Sequence, residues 1–349
     1  MFLSMYTSAP SESSLIEIAG SGLTFECEQG DTLLRAALRH GIGLSYECNA
    51  GSCGSCKIQL VNGELEDLYP DAPGIRPRDR DRGKCLACQN VPQGNCQIVA
   101  RVSNAYLTRH APARMAARLT SMRDITHDIR EFCFQTDSPA RFLAGQFAMI
   151  QLPGVSSPRA YSMSNVANEG GYWKFMVRRL SRGIASNVLF ALEKGAKVEV
   201  DGPFGLAYLR EDSERDIVCI AGGSGLAPMV SILDAAATHE VVRRRGAWLF
   251  YGGRAPRDVP AVSQFLCSHR LERGLEWHPV ISVPELADCT NWQGEVGMVH
   301  DLLPKKLPLA LANYEYYFAG PPPMIEATVR MLAVENKVPQ AQLHFDRFF

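Results

Sequence analysis

A crowd of cysteines constrains this chain more than any other feature. Six of its 11 cysteines fall between Cys48 and Cys96, and an odd total argues against a framework of disulfides. Cys48, Cys53 and Cys56 form C-x4-C-x2-C, with Cys85 and Cys88 lying 29 and 32 positions beyond Cys56. This is the plant-type spacing for a 2Fe–2S cluster, in which four thiolates converge on two irons. The intervening residues, Asn49-Ala50-Gly51-Ser52 and Gly54-Ser55, are small enough to let backbone N–H groups approach the sulfurs and tune the potential. A second pattern competes with the first, because Cys53-x2-Cys56 and Cys85-x2-Cys88 together read as a structural zinc site. Zinc leaves Cys48 without a role. Spacing alone leaves Cys85 and Cys88 equal as the fourth iron ligand. Cys27, Cys96, Cys133, Cys219, Cys267 and Cys289 stand in apolar surroundings and are expected to be small core side chains.

At 349 residues the chain exceeds what one core usually organises. Residues 15–27 alternate like strands, and residues 32–39 have helical spacing with Asp31 as a candidate cap. A strand at 57–61 leads to a turn at Asn62-Gly63. A loop at 69–84 follows, in which the alternating charges from Arg76 to Lys84 suit a solvated surface. After a short strand at 97–102, residues 108–117 are rich in Pro, Ala and Arg and read as a linker. Residues 118–209 carry short strands punctuated by Gly and Pro, the pattern of an antiparallel β-barrel. From Asp216 the rhythm becomes strand, glycine turn, helix and strand, as in a Rossmann-like α/β domain. The expected division is therefore an α+β unit at 1–107, a linker at 108–117, a barrel at 118–209 and an α/β domain at 210–349.

Two further segments carry cofactor chemistry. Arg159-Ala160-Tyr161-Ser162 offers a guanidinium for a phosphate, a ring for the face of an isoalloxazine and a hydroxyl for its N5 edge. Gly183-Ile184-Ala185-Ser186-Asn187 follows as a phosphate-binding turn opening a helix. Downstream, the apolar run 216–221 meets Gly222-Gly223-Ser224-Gly225 and then a helical stretch at 229–237. A glycine turn so placed lets the backbone approach a pyrophosphate. Pro228 suits a first helical turn. Arg254, after the next strand, stands where an adenine ribose would lie. With Asp258 nearby but no acid at the strand end, charge leaves NADH and NADPH open.

A formal net charge of -1 supplies no footprint for nucleic acid or an anionic membrane. No run of about 18 apolar residues is present, and residues 1–14 lack the n-region and apolar stretch of a secretory signal, so a cytoplasmic protein is expected.

The order of C-x4-C-x2-C, R-x-Y-S, G-G-S-G-x-A-P and G-P-P-x-M resembles the ferredoxin–flavin reductases of bacterial multicomponent oxygenases. The likeness spans essentially the whole chain. Tyr46-Glu47-Cys48-Asn49, residues 70–74, Leu86-Ala87-Cys88-Gln89, residues 335–339 and the terminal residues 344–349 resemble those of the toluene 4-monooxygenase type. The resemblance implies a plant-type (β-grasp) ferredoxin domain, an FAD-binding barrel and an NAD-binding domain, with NADH favoured over NADPH. It makes Cys88 the fourth ligand beside Cys48, Cys53 and Cys56. It makes Arg159, Tyr161 and Ser162 flavin contacts, with the last two at the reacting ring. It assigns Gly183 and Ser186 to a flavin phosphate, Gly223, Gly225, Arg254 and Gly320 to the nicotinamide dinucleotide, and Phe349 or Phe348 to covering the flavin. The implied acceptor is a Rieske-type ferredoxin or a diiron hydroxylase, and the chain is expected to be a monomer. Ala319 stands where the family commonly has cysteine, so no hydride-aligning thiol is carried over there.

The three segments form a chemical sequence, because NADH gives up two electrons at once, a 2Fe–2S cluster accepts one, and a flavin converts between the two. Alternatives with other electron fates are a self-contained flavin oxidase or quinone reductase, and a zinc-stabilised module without enzymatic activity.

Overall fold

The computed structural model describes residues 13–261, 270–285 and 292–349, and the chain divides into two compact units at Pro112/Ala113. Cys267 and Cys289 lie outside the described residues.

In the first unit, a hairpin of β1 (Ser14–Ile18) and β2 (Leu23–Cys27) precedes helix α1 (Leu33–Arg39). The expected cap at Asp31 moves one residue on. Thr32 accepts from the Arg35 amide, because a hydroxyl at this position reaches the third helical N–H. The Asp31 carboxylate instead accepts from the Thr32 amide and pairs with Arg39. Then follow β3 (Lys57–Asn62), β4 (Leu65–Asp67), a short helix α2 (Pro77–Arg80), β5 (Lys84–Leu86), β6 (Asn90–Pro92) and β7 (Cys96–Val99). The main sheet runs β2-β1-β7-β3-β5, with β1 and β7 parallel, and β4 pairs with β6 apart from it. Cys27 and Cys96 are buried.

The second unit opens with β8 (Ala113–Asp124), so the second half of the expected linker is strand. Main-chain pairing from Ala113↔Gly202 to Arg118↔Lys197 overrides a composition that reads as loop. The remaining strands of this sheet are β9 (Ile129–Thr136), β10 (Phe147–Gln151), β11 (Arg159–Ser162), β12 (Tyr172–Arg178) and β13 (Lys197–Phe204). Helix α3 (Ile184–Ala191) lies between the last two. Their order is β11-β10-β13-β8-β9-β12, wholly antiparallel, around a core that includes Phe132, Phe134, Phe175 and Trp173.

A second sheet in the same unit is wholly parallel. It comprises β14 (Asp216–Gly222), β15 (Ala247–Gly253), β16 (Leu275–Ile281), β17 (Glu295–Val296), β18 (Tyr314–Gly320) and β19 (Leu343–Arg347) in the order β17-β16-β15-β14-β18-β19. Helices α4 (Leu226–Thr238), α5 (Leu303–Lys306) and α6 (Pro322–Val329) complete it. The unbroken apolar run of β14 follows from burial on both faces. Ile217, Cys219 and Ala221 join one core with Leu226, Val230 and Leu233 of α4, while Val218 and Ile220 join another with Leu303 and Ile325. The carboxyl ends of these strands, at Gly222, Gly253 and Gly320, form the edge at which open α/β sheets take their ligands.

Candidate functional site: thiol cluster, flavin strand and nucleotide turn

The cysteine loop lies between α1 and β3, and its backbone turns through Asn49, Gly51 and Gly54, all at positive φ. Its three thiols meet a fourth, Cys88, from the turn between β5 and β6. Cys56 Sγ and Cys88 Sγ are 3.3 Å apart, and Cys48 Sγ accepts from the amides of Ala50 at 3.5 Å and Cys53 at 3.4 Å. Cys53 Sγ accepts from the Ser55 amide at 3.4 Å, and Cys88 Sγ accepts from Gln89 Nε2 at 3.4 Å. Cys85 belongs to a different neighbourhood. It is half-buried, it feels Asp67 and Cys96, and burial first, then those charges, push its thiol up to about 12.

Proton sharing divides the four thiols. The hydrogen bond from Cys48 draws Cys53 down to about 5, and the hydrogen bond from Cys56 draws Cys88 down. Cys48 and Cys56 are pushed up by those same contacts and by burial. Four thiolates so close repel one another unless a cationic group lies between them, and the amides aimed at the sulfurs already stabilise negative charge. A buried Nδ2 of Asn49, beside Cys48, also has no hydrogen-bond partner among the described residues. Donor set and surrounding amides fit an iron–sulfur cluster.

Strand β11 is the edge of the antiparallel sheet and carries the Arg159-Ala160-Tyr161-Ser162 motif in register with β10, Ser162 opposite Phe147 and Arg159 opposite Ile150. Arg159 is exposed, its guanidinium folded back on the carbonyl of Ser157 at 2.8 Å and on Ser157 Oγ. Tyr161 packs against the barrel core, and burial pushes its hydroxyl up to about 12 although Arg159 pulls it back, so the ring is neutral at physiological pH. Ser162 is buried. Gly183 caps α3, where a Cβ would lie 2.5 Å from Ser186 Oγ. That hydroxyl accepts from the Leu180 amide at 3.1 Å and bonds the Gly183 carbonyl at 3.2 Å, which fixes the turn at the positive end of the helix.

In the nucleotide turn the two glycines differ. Gly223 has φ +57°, and a Cβ there would meet only Arg178, at 3.9 Å, so its face is open. A Cβ on Gly225 would lie 2.0 Å from the Ala319 carbonyl oxygen, so this glycine permits close packing of the turn on β18. Gly320, at φ +152°, has Met324 Cε 2.8 Å from a Cβ position. Arg178 was not among the residues expected from sequence. Its guanidinium points at the turn and is held by Asp128 at 2.6 Å, and the doubled Arg178-Arg179 at a strand end was the one available signal.

Arg254 is exposed at the end of β15. Asp258 turns back on its own loop, Oδ2 accepting from the amides of Arg254 at 2.9 Å and Ala255 at 3.0 Å. At the chain end the Phe348 amide donates to the Gly320 carbonyl at 2.9 Å, and its ring packs on the core that holds Tyr317 and Ala319. Phe349 is 65% exposed.

Family models match in the order of these three sites: a 2Fe-2S iron–sulfur cluster binding domain at 16–93, an oxidoreductase FAD-binding domain at 116–208 and an oxidoreductase NAD-binding domain at 219–330. The ferredoxin–NAD(P)+ reductase CarAd of Metapseudomonas resinovorans is 41% identical, over 93% of this chain and 96% of that one. The xylene/toluene monooxygenase electron transfer component XylA of Pseudomonas putida is 30% identical, over 97% and 95%. A solved structure, the ferredoxin reductase in carbazole 1,9a-dioxygenase, superposes with a TM-score of 0.89 at 35% identity, covering 98% of this chain and all of that one. Thiol cluster, flavin strand, nucleotide turn and these full-length likenesses agree, and the chain belongs to the iron–sulfur flavoprotein reductases that pass electrons from a reduced nicotinamide through FAD to a 2Fe–2S cluster.

Proposed function

We propose that this chain is the NADH-dependent reductase of a multicomponent oxygenase, delivering electrons singly to a Rieske-type ferredoxin or a diiron hydroxylase. Cys48, Cys53, Cys56 and Cys88 hold the cluster. The carrying observation is the meeting of Cys56 and Cys88 at 3.3 Å while Cys85 sits in another environment. When bound, the flavin accepts a hydride and the cluster takes its electrons one at a time.

The protein positions these groups. Arg159 would exchange its Ser157 contacts for a flavin phosphate, a charge-assisted pairing. Tyr161, neutral and anchored in the barrel, would present its ring to the flavin, and the Ser162 hydroxyl would hydrogen-bond the ring's edge. The amino end of α3, fixed by Ser186, takes a second phosphate. Gly223 lets the backbone approach the dinucleotide, Arg178 adds a cation beside it, and Gly225 and Gly320 keep turn and β18 in contact. Arg254 faces the adenosine half. No residue has to act as a general base.

The chain works as a monomer in the cytoplasm. Among the described residues no helix is long and apolar enough to cross a membrane. Purified protein should carry FAD, roughly two irons and two acid-labile sulfides per chain. NADH should bleach both chromophores, and a Rieske-type ferredoxin or diiron hydroxylase should reoxidise them. Zinc without iron, or rapid NADH oxidation by oxygen that no protein acceptor changes, would replace this reading.

A further inference from the structure

We infer that the basic segment Arg76–Lys84 is the docking surface for the electron acceptor, and that this acceptor is an acidic protein. The inference rests on the electron-transfer reading above and names the partner's chemistry.

The segment is built against the cysteine loop. The Gly74 amide donates to the Gly51 carbonyl at 2.9 Å, and a Cβ on Gly54 would lie 2.3 Å from the Gly74 carbonyl oxygen, so only glycines allow this approach. Buried Ala72 and Ile75 anchor the segment from beneath. Lys57, next to Cys56, reaches Asp79 of α2 at 2.7 Å, which ties the segment to the residue that follows a cluster thiol. The charged run therefore has a fixed position beside the loop, in which Glu47, Cys48, Ala50 and residues 52–54 are half-buried and Ser55 is exposed.

Its charges are unequal. Five cations (Arg76, Arg78, Arg80, Arg82, Lys84) stand with two carboxylates (Asp79, Asp81). Asp79 is held by Lys57 and Lys84, and Arg80 is paired with Asp67 at 3.4 Å. Arg76, Arg78 and Arg82 remain exposed with no ion pair among the described residues, against one exposed Asp81. Glu47 is the acid on the loop edge itself, and it accepts from Ser55 Oγ at 3.4 Å. In a chain whose formal net charge is -1, this local excess is not a property of the whole surface. A net-positive patch beside the cluster loop steers an oppositely charged partner and raises its rate of encounter.

The test uses the holoenzyme with Arg76→Glu, Arg78→Glu and Arg82→Glu combined, and a second variant with the same three residues changed to Gln. Stopped flow follows NADH reduction of FAD and cluster, then reoxidation by an acidic 2Fe–2S ferredoxin or by cytochrome c, a basic acceptor. With the parent, the rate to the acidic ferredoxin should fall about tenfold to a hundredfold as salt screens the patch. The Glu variant should lose about as much at low salt and favour cytochrome c, the Gln variant should fall between, and NADH-driven cluster reduction should stay unchanged in both. An unchanged rate to the acidic ferredoxin in a variant with normal cluster reduction would overturn the docking assignment. So would slowed cluster reduction, because the patch would then face the chain's own flavin unit. Failure of NADH to reduce the cluster in the parent would instead overturn the electron-transfer reading.

Discussion

The cysteine loop and the nucleotide turn solve similar problems with opposite means. In the loop the side chains are the function, and glycines serve to fold the backbone around four sulfurs. In the turn the backbone is the function, and the absence of a side chain is what matters at Gly223 and Gly225. A ligand set tolerates no substitution because each thiol supplies a bond that no neighbour can replace. A backbone site tolerates change in proportion to the room around each Cα.

The largest effect should separate two thiols three residues apart. Cys88→Ser should abolish cluster assembly, while Cys85→Ser should leave the visible cluster spectrum intact, because Cys88 meets Cys56 and Cys85 does not. Iron and acid-labile sulfide per chain measure both. Iron retained in Cys88→Ser and lost in Cys85→Ser would reverse the assignment.

Next in size is a contrast inside the nucleotide turn. Gly225→Val places a branched side chain against the Ala319 backbone, 2.0 Å from its oxygen and 2.4 Å from its carbonyl carbon, and backbone yields little. The expected cost is about 3 kcal/mol or more, read as a lowered Tm. Gly223→Ala meets open space but must hold φ +57°, which costs about 1 kcal/mol. Its signature should be a raised KM for NADH with FAD and cluster retained. Equal losses of stability in the two variants would mean that both glycines serve packing.

Arg159→Ala should weaken FAD retention by about tenfold to a hundredfold, the range of one charged hydrogen bond. The guanidinium is exposed and, among the described residues, bonded only to its own turn, so the fold should lose little. Equilibrium dialysis of FAD against thermal melts of the apoprotein distinguishes binding from folding. FAD held as tightly as by the parent would remove Arg159 from the site.

Much of this architecture was legible because the decisive signals were local. Cysteine spacing, a glycine turn between an apolar strand and a helix, and the Arg159-Ala160-Tyr161-Ser162 strand each identify themselves within a few residues. What could not be read depends on partners distant in sequence. Which thiol meets Cys56 follows from the pairing of β3 with β5, where Ile58 faces Cys85 and the Ala87 amide returns to the Cys56 carbonyl at 2.9 Å. Residues 113–117 became strand through pairing with β13, some 85 positions away by the register Ala113↔Gly202 (89) and Ala117↔Val198 (81). Arg178 looked like any strand-end arginine until the fold laid it over Gly223. Asp258 was close in sequence to the expected ribose position, yet its Oδ2 is committed to the Arg254 and Ala255 amides.

The smallest expected effect tests whether the chain end belongs with the side-chain sites or the backbone sites. Phe348 is tied by its amide to Gly320 and rests its ring on the core, whereas Phe349 is 65% exposed beside the carboxyl edge of the sheet. Termini usually fray, and an exposed aromatic at a strand end gains little from packing. A ring that covers the flavin where the nicotinamide must arrive would give Phe349 a use that its own burial does not. Deleting Phe349 alone should then leave Tm nearly unchanged, within about 0.5 kcal/mol, while shifting flavin absorbance and changing the KM for NADH a few-fold. Deleting both residues should add about 1 kcal/mol of destabilisation from the lost Phe348 packing. Transfer from reduced flavin to cluster, followed by stopped flow, should change less than KM in both truncations. Normal flavin absorbance and unchanged NADH kinetics after both deletions would make the tail a packing element, its Phe348 amide closing the β18–β19 pairing at Gly320.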